Sequence, residues 1–296
     1  MRILAKLCAC FAALWLGANA AIAWIVTHPA AQAKLFGAEP DTRRTPAHFN
    51  LPFETVQYAS MRDAWWIEAD RARGSVVFIH GFQSVPDPKS ADPAPMLELA
   101  AKFRTWGYNS LIINLGYATG AHPYSGGPLE AADINAAVNW AKSRSGQQAV
   151  VLWGFSAGGH SALLAAANGS GTKVVADSAF VDANAVIRTQ TSRILHLPEW
   201  TLGPSSFFFW CFTGVSPTDL AKAVPNGGLR QPVLLFQGTG DRSISPTNLR
   251  QLGALTGGQV VAVPNADHIA SYYSNPEAYL RAAQEFLLIP LTNTTQ

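Results

Sequence analysis

From about residue 53 onward, short runs of apolar residues alternate with stretches whose apolar positions recur at helical spacing. The runs at 75–80, 110–114, 149–153, 173–176, 232–237 and 259–263 predict strands buried on both faces. The intervening stretches 94–106, 129–143, 156–168, 246–255 and 276–288 predict helices. Parallel neighbours need long crossovers, so this alternation implies an α/β fold with a mostly parallel sheet and helices on both faces. Residues 54–58 and 65–68 predict an antiparallel pair at one edge of that sheet.

Two segments depart from the alternation. Residues 7–26 carry no charge and at ~1.5 Å per helical residue are long enough to cross a ~30 Å hydrocarbon layer. Arg2 and Lys6 precede them, which places the following chain across the membrane from the cytoplasm. Residues 1–33 therefore predict a signal peptide or an N-terminal membrane anchor, with small-x-small sites at Ala18-Asn19-Ala20 and Ala31-Gln32-Ala33. An exported, periplasmic or otherwise extracytoplasmic protein follows, with the membrane as a partner if the segment is uncleaved. The alternative is a buried first helix. Residues 34–52 read as a linker and 53–296 as the main domain. The second departure is a long stretch between the strands at 173–176 and 232–237, read as a helical cap at about 183–228. It is rich in aromatics at Trp200, Phe207, Phe208, Phe209, Trp210 and Phe212.

Composition narrows the function. The 296 residues are 48% hydrophobic and 14% charged, which excludes disorder. Lys plus Arg number 21 against 19 acidic residues, and no basic stripe exists for a nucleic-acid backbone. Cys8 and Cys10 lie in the leader and Cys211 is alone in the body, so no disulfide framework or C-x-x-C site is expected. The histidines and carboxylates lack metal-ligand spacing, and the chemistry below needs neither metal nor cofactor.

The chemistry centres on Gly154-Phe155-Ser156-Ala157-Gly158, where a strand runs into G-x-S-x-G and then an Ala-rich helix. Such a turn strains the serine backbone and requires tiny residues two before and two after it. A serine hydroxyl needs a base and a group that orients the base. His268, directly after the last predicted strand, is the candidate base; His122, His160 and His196 are expected to bond locally or face solvent. Asp241, in the loop after the strand at 232–237, is the candidate acid, with Asp177 in reserve and Asp267 a solvated loop residue. Backbone donors for a developing oxyanion are expected from Ala157 and from Phe82, with Gln83 as its neighbour. His80 is expected to brace that loop.

Strand-His80-Gly81-Phe82, the Ser156 motif, Gly238-Thr239-Gly240-Asp241 and Asp267-His268 together resemble the α/β-hydrolase superfamily from about residue 53 to the C-terminus. The similarity extends to bacterial esterase-like and prolyl-oligopeptidase-like single-domain members through Ala176-Asp177-Ser178-Ala179-Phe180 and Asn275-Pro276-Glu277-Ala278-Tyr279. The resemblance implies an eight-stranded, mostly parallel sheet and cleavage of esters, amides or thioesters through an acyl-enzyme. One departure is the loop Asn114-Leu115-Gly116-Tyr117-Ala118-Thr119-Gly120, where many relatives carry Asp-x-Arg-Gly-His-Gly-x-Ser. The expectation is a serine carboxylesterase using Ser156, His268 and Asp241 on a small-molecule acyl substrate. The alternatives are an exopeptidase or amidase, for which Glu199 is the candidate amine grip, and a non-catalytic binding module. The aromatic cap suggests an apolar acyl or alcohol group, unless those rings pack one helix on its neighbour; Tyr117, Tyr124, Tyr272 and Tyr273 are candidates for the entrance rim.

Overall fold

A computed structural model describes residues 1–35, 44–83, 94–146 and 149–288. Two helices, α1 (Arg2–Thr27) and α2 (Pro29–Leu35), precede a single eight-stranded sheet. Its strands are β1 (Glu54–Ala59), β2 (Arg62–Ile67), β3 (Gly74–Ile79), β4 (Tyr108–Ile113), β5 (Val150–Phe155), β6 (Lys173–Asp177), β7 (Val233–Gly238) and β8 (Gln259–Val263). The spatial order is β1-β2-β4-β3-β5-β6-β7-β8, with β2 antiparallel to both β1 and β4 at one edge and every pair from β4–β3 onward parallel. The mostly parallel α/β sheet anticipated from the alternation and the eight-stranded α/β-hydrolase fold that the resemblance implies are therefore present, and most element boundaries shift by only one or two residues.

Alternation along each central strand divides the core. Val77, Ile79 and Leu152 point into one apolar cluster, and Val76, Phe78 and Trp153 into the other. Crossover helices α3 (Met96–Thr105), α5 (Pro128–Ser145) and α6 (Ala157–Ala167) cover these faces, α5 and α6 on the first and α3 on the second. A short α4 (Gly116–Thr119) follows β4. The cap between β6 and β7 comprises α7 (Ala183–Leu195), a 3-10 turn at Glu199–Leu202, α8 (Ser205–Thr213) and α9 (Leu220–Ala223). Then α10 (Thr247–Thr256) joins the first face, and after α11 (Ser271–Ser274) α12 (Pro276–Leu288) covers the second.

Three expectations need adjustment. β8 is an outer strand with Val260 half exposed, not a fully buried one, because only β7 flanks it. Residues 44–52 are fastened to the domain rather than loose: Arg44 pairs with Glu98 at 2.9 Å, and Pro46 and Leu51 are buried. The remainder of the expected linker falls partly outside the described residues. Finally, α1 is neither buried nor separate. Most of it is exposed, yet Asn19, Ala23 and Thr27 are buried where its second half packs on α8. Trp15 Nε1 and Asn19 Nδ2 donate to Thr201 O at 2.8 and 3.1 Å.

The register sets the site. Ile79 pairs with Gly154, Phe155 with Asp177, Asp177 with Phe236 and Gly238 with Val263. The loops carrying Gly81, Ser156, Asp241 and His268 thus leave the carboxyl ends of neighbouring strands along one sheet edge, where open α/β sheets bind ligands.

Candidate active site

Ser156 caps α6 with φ 50° and ψ −119°, a conformation seldom taken by a residue with a side chain. The glycines around it permit this. A Cβ on Gly154 would strike the Gly158 carbonyl, and one on Gly158 would strike the carbonyls of Ile79 and His80. The turn lifts Ser156 out of the sheet while its own N–H donates to Asp177 O at 2.8 Å, continuing the β5–β6 ladder.

His268 reaches back over the sheet from the loop after β8. Its Nε2 stands 2.9 Å from Ser156 Oγ, and its Nδ1 stands 2.8 Å from Asp241 Oδ2. An ionised carboxylate only accepts, so Nδ1 carries the proton and Nε2 presents its lone pair to the Ser156 hydroxyl. Asp241 is itself fixed. Its Oδ1 accepts from the N–H groups of Ser243 and Ile244, both at 2.8 Å, and its Oδ2 also accepts from Gln237 Nε2 at 2.6 Å.

The other sequence candidates do different things. Asp177, the reserve acid, does not bond His268. It is fully buried and accepts from the hydroxyls of Ser178 and Ser271, each at 3.0 Å. Burial pushes its pKa up to about 6 against the opposing pull of those hydroxyls. Ser178 Oγ in turn accepts the Ile269 N–H at 3.0 Å, so this buried cluster holds the residue after the imidazole. Asp267 is more than a solvated residue: its Oδ1 accepts from the backbones of His268 and Arg242 at 2.8 and 3.1 Å, bracing the loop. His160 donates to Phe180 O, His122 meets Asp133, and His196 caps α7 at the surface. No motif or spacing marks Gln237, Ser178 or Ser271 as a partner of these groups; the tertiary fold brings them beneath the loop.

The loop after β3 abuts the serine: a Cβ on Gly81 would lie 3.2 Å from Ser156 Cβ. The Gly81 carbonyl accepts from His80 Nδ1 at 2.7 Å and Tyr117 Oη at 2.9 Å, while His80 Nε2 accepts the Leu115 N–H at 3.1 Å. In a trans peptide the C=O and the next N–H point in opposite directions, so this double anchor turns the Phe82 N–H away from His80 and Tyr117. The departure at 114–120 thus supplies a buried prop. Tyr117 is 1% exposed and does not rim the entrance.

Above Ser156 and His268 lies a cavity of about 280 Å³. A single water needs ~10–15 Å³ on the same measure, so a multi-atom group fits. Phe82, Ala157, Tyr124 and Phe180 line one side; Val186, Ile187, Gln190, Thr191 and Ile194 of α7 line the cap side. Val26 of α1 completes the wall with Ser243 and Ile244. The aromatic cluster of the cap is absent from this lining. Phe209 packs toward α1, and Trp200, Phe207 and Trp210 face outward, which corrects the idea that those rings hold substrate. Of the four tyrosines considered for the rim, Tyr124 reaches the cavity; Tyr272 packs on Tyr279 and Tyr273 bonds Glu98. No group of three or more metal-ligating side chains occurs among the described residues.

Residues 76–282 match the family model described as the alpha/beta hydrolase family. No curated protein matches the chain in sequence. Among solved structures, an esterase of Pyrococcus furiosus superposes with a TM-score of 0.64 at 18% identity, over 82% of this chain and 93% of that one. An esterase from the planctomycete Thermogutta terrifontis gives 0.59 at 16% identity over 82% and 95% of the two chains. A dienelactone hydrolase of Anabaena variabilis gives 0.53 at 20% identity over 81% and 98%. Likeness at these identities speaks to the fold. Together with the family match over most of the sheet and its serine turn, it establishes that the chain belongs to the alpha/beta hydrolase family.

Proposed function

We propose that the protein is a serine hydrolase that cleaves a carboxylic ester through an acyl-enzyme. The observation that carries this reading is the unbroken relay from Ser156 Oγ to His268 at 2.9 Å and on to Asp241 at 2.8 Å, at the floor of an apolar cavity. His268 Nε2 takes the hydroxyl proton as Ser156 Oγ attacks the acyl carbon, and Asp241 stabilises the imidazolium. The oxyanion is met by the N–H of Ala157, at the positive end of α6, and by that of Phe82. Collapse breaks the ester C–O bond, and His268 returns the proton to the departing alcohol. Water then attacks the acyl-enzyme with His268 again as base, releasing the acid and restoring the serine.

The lining favours an ester with an apolar acyl group, because apolar walls with few polar groups suit a hydrocarbon. The Thermogutta esterase, a protein of like fold, has been solved with propionate and with butyrate bound. An aminopeptidase-like reading has less support. Glu199, its candidate amine grip, bonds Thr189 at 2.7 Å and faces Arg188 outside the cavity. We further place the catalytic domain on the extracytoplasmic side, with α1 as its anchor and Arg2 and Lys6 on the cytoplasmic side.

The test is labelling of purified protein with a fluorophosphonate, alongside hydrolysis of p-nitrophenyl butyrate and an aminoacyl p-nitroanilide. Wild type is expected to label and to prefer the ester, and Ser156→Ala to do neither. Ester hydrolysis that survives in Ser156→Ala overturns the assignment.

A further inference from the structure

The apolar surface of the cap continues beyond the cavity. Trp200, Phe207 and Trp210 are 76%, 61% and 51% exposed, and residues 200–218 include no charged side chain. Ile194 is 73% exposed yet lines the cavity, so it stands on the cavity rim, on the helix that packs against the Glu199–Leu202 turn. Large exposed apolar patches mark contact with a membrane or another protein. Beside this one runs α1, whose Val26 lines the same cavity and whose Thr27 O accepts the Tyr124 N–H at 2.7 Å. The helix therefore ends at the mouth of the site.

We propose that α1 and the cap dock together in a lipid bilayer and that the cavity opens into it, so that the substrate is a bilayer-resident amphiphile carrying an acyl ester. The chemistry of this proposal rests on the serine-hydrolase reading; its geometry rests on the packing of α1.

Helix length selects a bilayer as the occupant. The uncharged stretch of α1 begins at Leu7, and its first hydrogen bond to the cap is made by Trp15, leaving eight of its residues before that point. At ~1.5 Å each they span ~12 Å, well short of the ~30 Å hydrocarbon thickness. A spanning α1 with Lys6 at the cytoplasmic boundary therefore carries about twelve further residues, Trp15 to Val26, and the cap edge packed beside them, into the hydrocarbon. The cap edge is built for it. Trp200 and Thr201 lie at the level of Trp15, residues 200–218 bring no charge with them, and Glu199 is paired with Arg188 and bonded to Thr189. A soluble cap would gain nothing from rings turned away from its cavity.

The test uses the full chain reconstituted in phosphatidylcholine–phosphatidylglycerol vesicles. Cys211 is exposed on α8, so with Cys8→Ser and Cys10→Ser it accepts a single nitrobenzoxadiazole label. Its emission is expected to be quenched by lipid-borne nitroxide and shielded from aqueous iodide. In parallel, Trp200→Ser, Phe207→Ser and Trp210→Ser combined should leave hydrolysis of dissolved p-nitrophenyl butyrate within about twofold of wild type. Hydrolysis of vesicle-embedded p-nitrophenyl palmitate should fall by roughly tenfold or more. Iodide quenching without nitroxide quenching overturns the proposal, as does an equal loss on both esters. So does a mature chain lacking residues 1–20 or 1–33, or shielding of the label that depends on protein concentration and not on lipid, which assigns the face to a second copy. Should Ser156→Ala retain activity, the hydrolase reading falls while the quenching result still judges docking by itself.

Discussion

Replacing Asp241 by asparagine separates the orienting role proposed for this carboxylate from its packing. In the native site Oδ1 accepts two backbone N–H groups, from Ser243 and Ile244, and Oδ2 accepts from both Gln237 Nε2 and His268 Nδ1. An asparagine keeps its carbonyl on the two backbone donors, which leaves its NH₂ facing Gln237 and His268. Gln237 can accommodate this by turning its amide, because its Oε1 has no partner. The imidazole can accommodate only by moving its proton from Nδ1 to Nε2, and the base facing Ser156 is then lost. A wrong tautomer of this kind costs about 10⁴ in kcat in a Ser-His-Asp site, or ~5.4 kcal/mol of transition-state stabilisation. Asp177→Asn touches no atom of His268, so its kcat should stay within about tenfold of wild type. The assay is kcat and kcat/KM on p-nitrophenyl butyrate for both variants, with near-ultraviolet circular dichroism to verify folding. A folded Asp241→Asn that keeps a tenth of wild-type kcat, or an Asp177→Asn that loses as much as Asp241→Asn, refutes the orientation argument.

Two further outcomes follow from the buried groups and the serine turn. Burial pushes His160 down to about 4 and Asp177 up to about 6. The neutral His160 contributes stability above its unfolded value of 6.5 that is lost as pH falls toward 4, whereas protonation of Asp177 adds stability as pH falls from 6 toward 3.8. Each displacement of roughly two pH units corresponds to about 3 kcal/mol, so the two largely cancel. Asp177→Asn should therefore make the thermal midpoint fall more steeply between pH 6.5 and 4 than it does in wild type; an unchanged slope contradicts this pairing. Gly158→Ala drives a Cβ into the Ile79 and His80 carbonyls and is expected to cost ~3 kcal/mol or more, while Gly203→Ala, with its nearest atom at 3.7 Å, should be near neutral. Denaturant midpoints compare the two.

The alternation of apolar runs and helical stretches determined the layered sheet by itself, because burying both faces of a strand demands continuous apolar residues and parallel pairing demands a crossover. Local chemistry likewise marked the serine turn: only glycine fits beside the carbonyls that crowd positions 154 and 158. What lies across the sheet was illegible. Gln237, Ser178 and Ser271 are ordinary polar residues in sequence, and the tertiary fold alone decides that they grip Asp241 and the His268 loop. Tyr117 looked like an entrance residue because nothing local shows that its hydroxyl is spent on the Gly81 carbonyl. The cap was the sharpest case. A run of Phe and Trp announces burial against something apolar, but composition has no direction. The tertiary structure turned those rings toward α1 and the outside, and gave the cavity wall to the aliphatic face of α7.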